Sequence, residues 1–522
     1  MERRTFLKIL SSAGIVSLVS PTFAMEVCKN KVSKSSSALL ESAFRNPPFS
    51  SGVYTWWHWM NGNITKDGIT RDLEAMKANG IAGYQLFEAG SGIPIGPVES
   101  LSDEWVDLIL HTLKESERLG LEFAMHNCPG WSSSGGPWIT PDKAMQIITW
   151  SETKITGGKQ VRIQLPTPKH MFDYYIDTYC LAIPANMKVI PRLSILELSN
   201  RLDKDGVLTW DVPTGEWLIM RFGQTAKDQK NKSAPSKSTG LDCDKFSTEA
   251  LDYHLNCMFK RLMPAMEKIA KHSKIGLLID SYETGDQDWT SDMPAYFEQS
   301  HGYELYPFLP VLANKIVESE ESTKRFLFDF RRVRADMFAE RYYGHFQKRC
   351  KEKGIITYTE PYGGNMMEEL QVAQQLDINM GEFWCGQTVL WANYKYNRTV
   401  KQVASIAHTL GGKVVGAEAF TSEPDADKWL QYPYALKSLG DYMFTRGLSR
   451  IYFHRFAHQP HPTAAPGMTM GAWGLHFDRT NTWWKPGKAW IEYLNRCQYI
   501  FQSSTFYGDI LYHNGDDSFG ST

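Results

Sequence analysis

A (β/α)8 TIM barrel interrupted by an inserted antiparallel β-sandwich-like domain is the α/β fold this sequence predicts, on three observations. From residue 50 onward, short β-rich runs alternate with segments of helical periodicity, the pattern left by parallel strands joined through crossover helices. Eight such runs can be counted, the number that closes a barrel. Between the third and the fourth, over 148–223, the rhythm changes to period-two alternation broken by turn residues, which is how antiparallel strands read.

The first strand is expected at 53–60. A helix follows it with Ile69, Leu73 and Met76 on one face and Asn79-Gly80 as its stop. The second strand is 81–88, and the helix 102–119 after it places Trp105, Ile109 and Leu113 on one side and ends at Gly120. The third strand is 121–127. In the insert, Val161, Ile163 and Leu165 alternate, and the turn Pro213-Thr214-Gly215 precedes a β-rich run over 216–222. A polar loop, 227–240, leads back to a strand at 275–280 and a long helical stretch over 322–353. Strands at 355–359, 377–383, 413–419 and 450–456 complete the eight, separated by helices near 366–375, 396–410 and 427–446, with a last helix at 489–501. The barrel is therefore expected from 45–147 and 224–515, and the insert from 148–223.

Composition narrows the function. Among 522 residues, 56 Lys and Arg balance 58 Asp and Glu for a net charge of −2, which argues against nonspecific nucleic-acid binding. With 42% hydrophobic residues the chain is not disordered, and no stretch approaches the roughly 20 apolar residues of a membrane span. Aromatic residues reach 13%, with 17 Trp, and flat rings beside hydrogen-bonding groups suit sugars. The eight cysteines are dispersed without a C-x-x-C pair, giving neither a zinc site nor a disulfide scaffold. Residues 1–24 read as an export signal: Arg3-Arg4-Thr5-Phe6-Leu7-Lys8, an apolar run, then Thr22-Phe23-Ala24 as the cleavage site. A twin-arginine signal and an ordinary secretory signal both fit, and either sends the protein to the periplasm or beyond.

In such a barrel the C-terminal ends of the strands converge on one mouth. Those ends supply Trp57-His58-Trp59, Glu88, His126-Asn127, the stretch Asp280 to Glu283, Glu360, Glu382, Glu418, His454-Arg455 and His458. A mouth rich in acids and tryptophan fits cleavage of a glycosidic bond, which needs one carboxylic acid to protonate the departing oxygen and one carboxylate to activate water or attack carbon. Glu283, after strand four, and Glu418, ending strand seven, are the leading pair; the competing reading makes them structural ion pairs to Arg455 or Lys413. Other motifs are weak. The glycines at 90–96 have the wrong spacing for a dinucleotide loop, and Pro94 blocks the helix such a loop needs. Residues 130–135 lack the glycine two positions beyond Ser132 that a nucleophile elbow requires, and Cys128 beside His126 lacks a further partner.

Two long segments, His126 to Met145 and Asp280 to Thr290, resemble the α-L-rhamnosidases of glycoside hydrolase family 106. Shorter matches lie at Trp56-Trp57-His58-Trp59, at 68–73, at 240–245, and at His458-Gln459-Pro460 with Pro466-Gly467-Met468, so that the resemblance runs over about 45–515. It implies hydrolysis of terminal α-L-rhamnosyl residues with inversion, on a rhamnose-containing oligo- or polysaccharide of plant or bacterial type. It also implies a calcium ion that helps hold the sugar. Carried onto this sequence, Glu283 would be the general acid and Glu418 the general base, and Glu360 and Glu382 are candidate calcium ligands. Trp57, Trp59 and Trp131 would wall the sugar, with His126, Asn127, His454 and His458 offering hydrogen bonds. Family members usually continue into further β domains, whereas this chain stops at Thr522, which reads as a minimal catalytic unit or a truncated product. Two alternatives stay open. A retaining β-glycosidase would share acids at strands four and seven, although that clan places Asn before its first acid where this chain has Tyr282. A non-catalytic carbohydrate-binding protein would keep the scaffold without the reaction.

Overall fold

The computed structural model describes residues 34–90, 92–269, 275–385, 389–424, 428–471 and 473–513. The export signal and Cys28 lie outside them. The chain divides at Pro48. The described part of the first unit is a helix, Lys34–Arg45, carrying an Arg45–Glu41 pair at 2.9 Å one turn apart.

The second unit, from Phe49, holds a closed barrel of eight parallel strands. They are β1 (Tyr54–Met60), β2 (Gly83–Ala89), β3 (Glu122–His126), β4 (Ile275–Ile279), β5 (Ile356–Thr359), β6 (Ile378–Cys385), β7 (Val415–Ser422) and β8 (Arg450–Ala457). Each pairs with the next in chain order, and β8 returns to β1, where Tyr54 lies opposite Tyr452. All eight predicted strands are present, shifted at their ends by a few residues at most.

The helices start and stop where their caps direct. Thr65 Oγ1 accepts from Gly68 N at 3.1 Å at the head of Lys66–Ala78, whose Ile69, Leu73 and Met76 are fully buried against the barrel wall. Ser102 caps Asp103–Leu119 through Trp105 N at 3.1 Å, and Gly120, in the left-handed region at φ +64°, ends it. Losing either cap side chain would cost about 1 kcal/mol. Four helices depart from expectation. The stretch read at 322–353 is helical at Glu320–Met337 and His345–Lys351 but widens into a π-helical segment at Phe338–Gly344. The wider turn brings Phe338, Tyr342 and Tyr343 together inward, all fully buried. Pro433, which cannot sit inside a helix, fixes the start of Pro433–Thr445 well after the expected 427. The helix near 366–375 shortens to Glu369–Ala373, while that at 396–410 lengthens to Val389–Leu410.

Between β3 and β4 lies the antiparallel insert. The long strands Gln146–Thr156 and Glu216–Ala226 pair along their whole length, with Ile176–Pro184 and Leu196–Glu197 continuing the sheet. Lys159–Gln164 pairs with Val207–Val212 in a second sheet. Leu165, Cys180, Ala182, Leu208, Trp210 and Ile219 fill the space between the two. No disulfide is found among the described cysteines. No helix among the described residues is long and apolar enough to cross a membrane.

Candidate active site

Every barrel strand is buried on both faces, so one residue in two points to the barrel axis and the next to the surrounding helices. The lower interior is packed by Tyr54, Trp56, Leu278, Tyr358, Met380 and Tyr452. The aromatic rings need small neighbours: a Cβ on Gly276 would meet the Tyr358 ring at 2.3 Å. Above this packing the inward register places one residue per strand end in a ring, namely His58, Phe87, His126, Asp280, Glu360, Glu382, Glu418 and His454. The four acids occupy consecutive strands, β4 to β7. The histidines and the phenylalanine occupy the other half, where Phe87 stacks between His58 and His126 with ring centroids 5.1 Å from each.

Burial dominates the electrostatics of the acid half. Glu418 is held well above the usual carboxylate range by burial, then by the neighbouring Glu382 and Asp280 charges. Glu360 is raised by burial and by Asp280 and Glu418, and Asp280 by burial and by Glu283 and Glu382. Glu382 and Glu418 stand opposite each other in the β6–β7 register. The Thr421 hydroxyl donates to Glu418 Oε1, and His454 Nδ1 lies 3.4 Å from the same oxygen. Tyr362 bridges two acids, donating to Glu360 Oε2 and lying 3.0 Å from Glu382 Oε2, while Trp384 Nε1 donates to Glu382 Oε1.

On the histidine half burial acts with the opposite sign. His126 is pushed down to about 4 by burial; its Nδ1 lies 2.9 Å from Cys128 O, and its Nε2 accepts from Asp280 N at 3.4 Å. His58 is lowered by burial and then by His454, and His454 by burial and then by Arg455.

Glu283 approaches the ring from the loop after β4. Its Oε2 accepts from Trp131 Nε1 at 3.1 Å and from Lys232 Nζ at 2.6 Å, and its charge reaches both Asp280 and Glu418. Its ion-pair partner is thus Lys232, from the return loop of the insert, instead of Arg455 or Lys413.

The predicted sugar-binding residues divide. Trp131, partly buried against the interior cluster, and His454 stand at the mouth with Glu283 and Glu418. His126 shapes the wall, with both ring nitrogens turned to backbone groups. Trp57 and Trp59 do not line the mouth: both are fully buried on the outer face of β1, packed in the same core as Leu73 and Met76, with Trp57 Nε1 donating to Asp72 Oδ2 at 3.3 Å. The inward face of that strand belongs to Trp56 and His58. His458 joins the same outer network, its Nδ1 2.8 Å from Asp72 Oδ2 and its Nε2 accepting from Thr65 N. Asn127 is spent on the scaffold, donating to Ser133 O and Leu278 O while its Oδ1 lies 3.0 Å from His254 Nε2. Glu88 also points outward, accepting from Ser100 Oγ at 2.7 Å. Sequence reasoning missed Trp56, Lys232, Tyr362 and Thr421. For Trp56 the signal was its two-residue spacing from His58.

The oxygen-rich acid half fits a hard cation such as calcium in its chemistry. Glu360 Oε1 and Asp280 Oδ1 are buried without a hydrogen-bond partner. No three acid, imidazole or thiolate groups are drawn together at ligand spacing among the described residues, so a cation here would complete its shell from sugar hydroxyls or water.

The family model of glycoside hydrolase family 106, alpha-L-rhamnosidase, matches residues 45–179 and 169–521. A protein of Formosa agariphila named "Putative beta-glucuronidase" is 40% identical over 510 residues, covering 92% of this chain and 43% of that protein. The structure of a rhamnosidase from Novosphingobium sp. PP1Y superposes with a TM-score of 0.82 at 24% identity, over 89% of this chain and 60% of that one, and shows the shared fold. The chain therefore spans less than two thirds of the length of either relative.

Proposed function

Because the chain belongs to glycoside hydrolase family 106, the α-L-rhamnosidases, we propose that it removes terminal α-L-rhamnosyl residues from glycans with inversion at the anomeric carbon, Glu283 acting as general acid and Glu418 as general base. The observation that supports this reading is that Glu283 follows β4 and Glu418 ends β7 of one closed barrel, with the Glu283 charge acting on Glu418. An inverting reaction needs such a pair with water admitted between one of them and the sugar. Glu283 gives its proton to the glycosidic oxygen as the C–O bond breaks. Water adds to the anomeric carbon from the opposite side and loses a proton to Glu418, and exchange with solvent resets both groups. Thr421 and His454, both at Glu418 Oε1, fix the direction in which that carboxylate faces the water. Calcium held by Glu360 and Glu382 would supply positive charge that offsets the repulsion among the acids, favours Glu418 as a carboxylate, and binds sugar hydroxyls. Export through residues 1–24 belongs to the same reading.

The name of the Formosa relative favours a second substrate, a β-glucuronide, on the same scaffold. One assay separates the two: aryl α-L-rhamnoside and aryl β-glucuronide are offered in parallel, with and without a chelator. We expect hydrolysis of the rhamnoside, the β-anomer of rhamnose first in the proton NMR spectrum, and a rate that falls on chelation and returns with calcium. First release of the α-anomer would establish retention, and turnover of the glucuronide alone would replace the substrate.

A further inference from the structure

Two loops far apart in sequence are locked to each other beside Glu283. Trp131 N donates to Lys232 O at 3.1 Å, Lys232 N donates to Ser132 Oγ at 2.5 Å, and Asn231 Nδ2 donates to Pro129 O at 3.0 Å. The approach is so close that a Cβ on Gly130, at φ +83°, would stand 2.1 Å from Lys232 O. The lock has a single product: the Trp131 indole and the Lys232 ammonium reach the same oxygen, Glu283 Oε2, from two directions. Two donors on one oxygen fix the plane of the carboxyl. They leave Oε1 without a hydrogen-bond partner among the described residues.

We propose that Lys232, on the return loop of the inserted domain, is a positioning residue for proton delivery: with Trp131 it clamps Glu283 Oε2 so that Oε1 faces the glycosidic oxygen. The proposal rests on the reading of Glu283 as general acid and adds the source of its orientation. It also gives the insert a part in the reaction, since the polypeptide that leaves its last strand, Glu216–Ala226, carries Lys232 to the mouth. Among the described residues, Lys232 from the return loop pairs with Glu283, and Asp280 from the end of β4 and Glu418 from β7 feel its charge; of these three Lys232 is the cation and the donor.

Misdirected proton delivery slows only those substrates whose leaving group needs the proton. Lys232→Met, Lys232→Arg and Trp131→Phe are compared with the unaltered protein on phenyl α-L-rhamnoside, a poor leaving group, and 2,4-dinitrophenyl α-L-rhamnoside, a good one. We expect K232M to lower kcat on the phenyl substrate by roughly 30-fold and on the dinitrophenyl substrate by less than about 3-fold, with KM little changed and K232R restoring most of the loss. W131F, which removes the other donor to Oε2, should show the same dependence on leaving group to a smaller degree. Equal losses on both substrates, or no loss on either, would overturn the proposal while leaving the reading of Glu283 intact. Absence of hydrolysis by the unaltered protein on both substrates would overturn that reading and this proposal with it.

Discussion

The two halves of the barrel mouth are built from opposite chemistry and brought to the same end. On β4 to β7, Asp280, Glu360 and Glu418 are driven by burial and mutual repulsion toward their protonated, neutral forms. On β8 to β3, His454, His58 and His126 are driven by burial toward theirs. A ring with the composition of an ion-rich site thus carries far less charge than its residues suggest. The difference lies in what each half gains from a ligand. A cation or polarised water relieves the acid half, whereas on the other half His58 and His126 pack their rings against Phe87 as a wall.

The contrast can be broken in three ways. The largest effect is on turnover: Glu418→Gln should lower kcat on an aryl α-L-rhamnoside by on the order of 10³-fold with KM within about 3-fold, whereas His58→Gln should cost less than about 10-fold. Similar losses would mean that the wall takes part in the chemistry. Next is stability at low pH. His126, with its ordinary value of 6.5 lowered to about 4 in the folded state, contributes stability that is present above 6.5 and lost as pH falls through 4, a swing of roughly 3 kcal/mol. Urea unfolding of His126→Gln between pH 7 and 4 should therefore show a shallower fall than the unaltered protein. The smallest effect has the opposite sign. Glu360, raised in the folded state, contributes stability present below the ordinary carboxylate range and lost as pH rises through its folded value. Glu360→Gln should accordingly gain about 2 °C in melting temperature at pH 8 relative to pH 5. Equal shifts at both values would show that the acids are already compensated.

Much of this architecture is legible in the sequence because it is periodic. Alternating strand and helix patterns give the eight strands in order, and period-two alternation sets off the insert. The acids at strand ends are legible for the same reason. What the sequence hides is the choice of face. All seven residues of β1 are buried, so no contrast of polar and apolar positions tells Trp56 from Trp57, and the ring that faces the mouth is decided by register. His458 is hidden differently: its partner Asp72 is 386 positions away. Lys232 sits among other lysines in a polar loop, and only the folded backbone shows that it alone meets Glu283.

The packed aromatic layer beneath the acids leads to one more conclusion. Because Tyr54, Tyr358 and Tyr452 pack the barrel below Glu360 and Glu418, the acids rest on a filled floor. A ligand bound at the mouth therefore has no passage along the barrel axis. Whatever enters from the mouth must leave by the same end of the barrel.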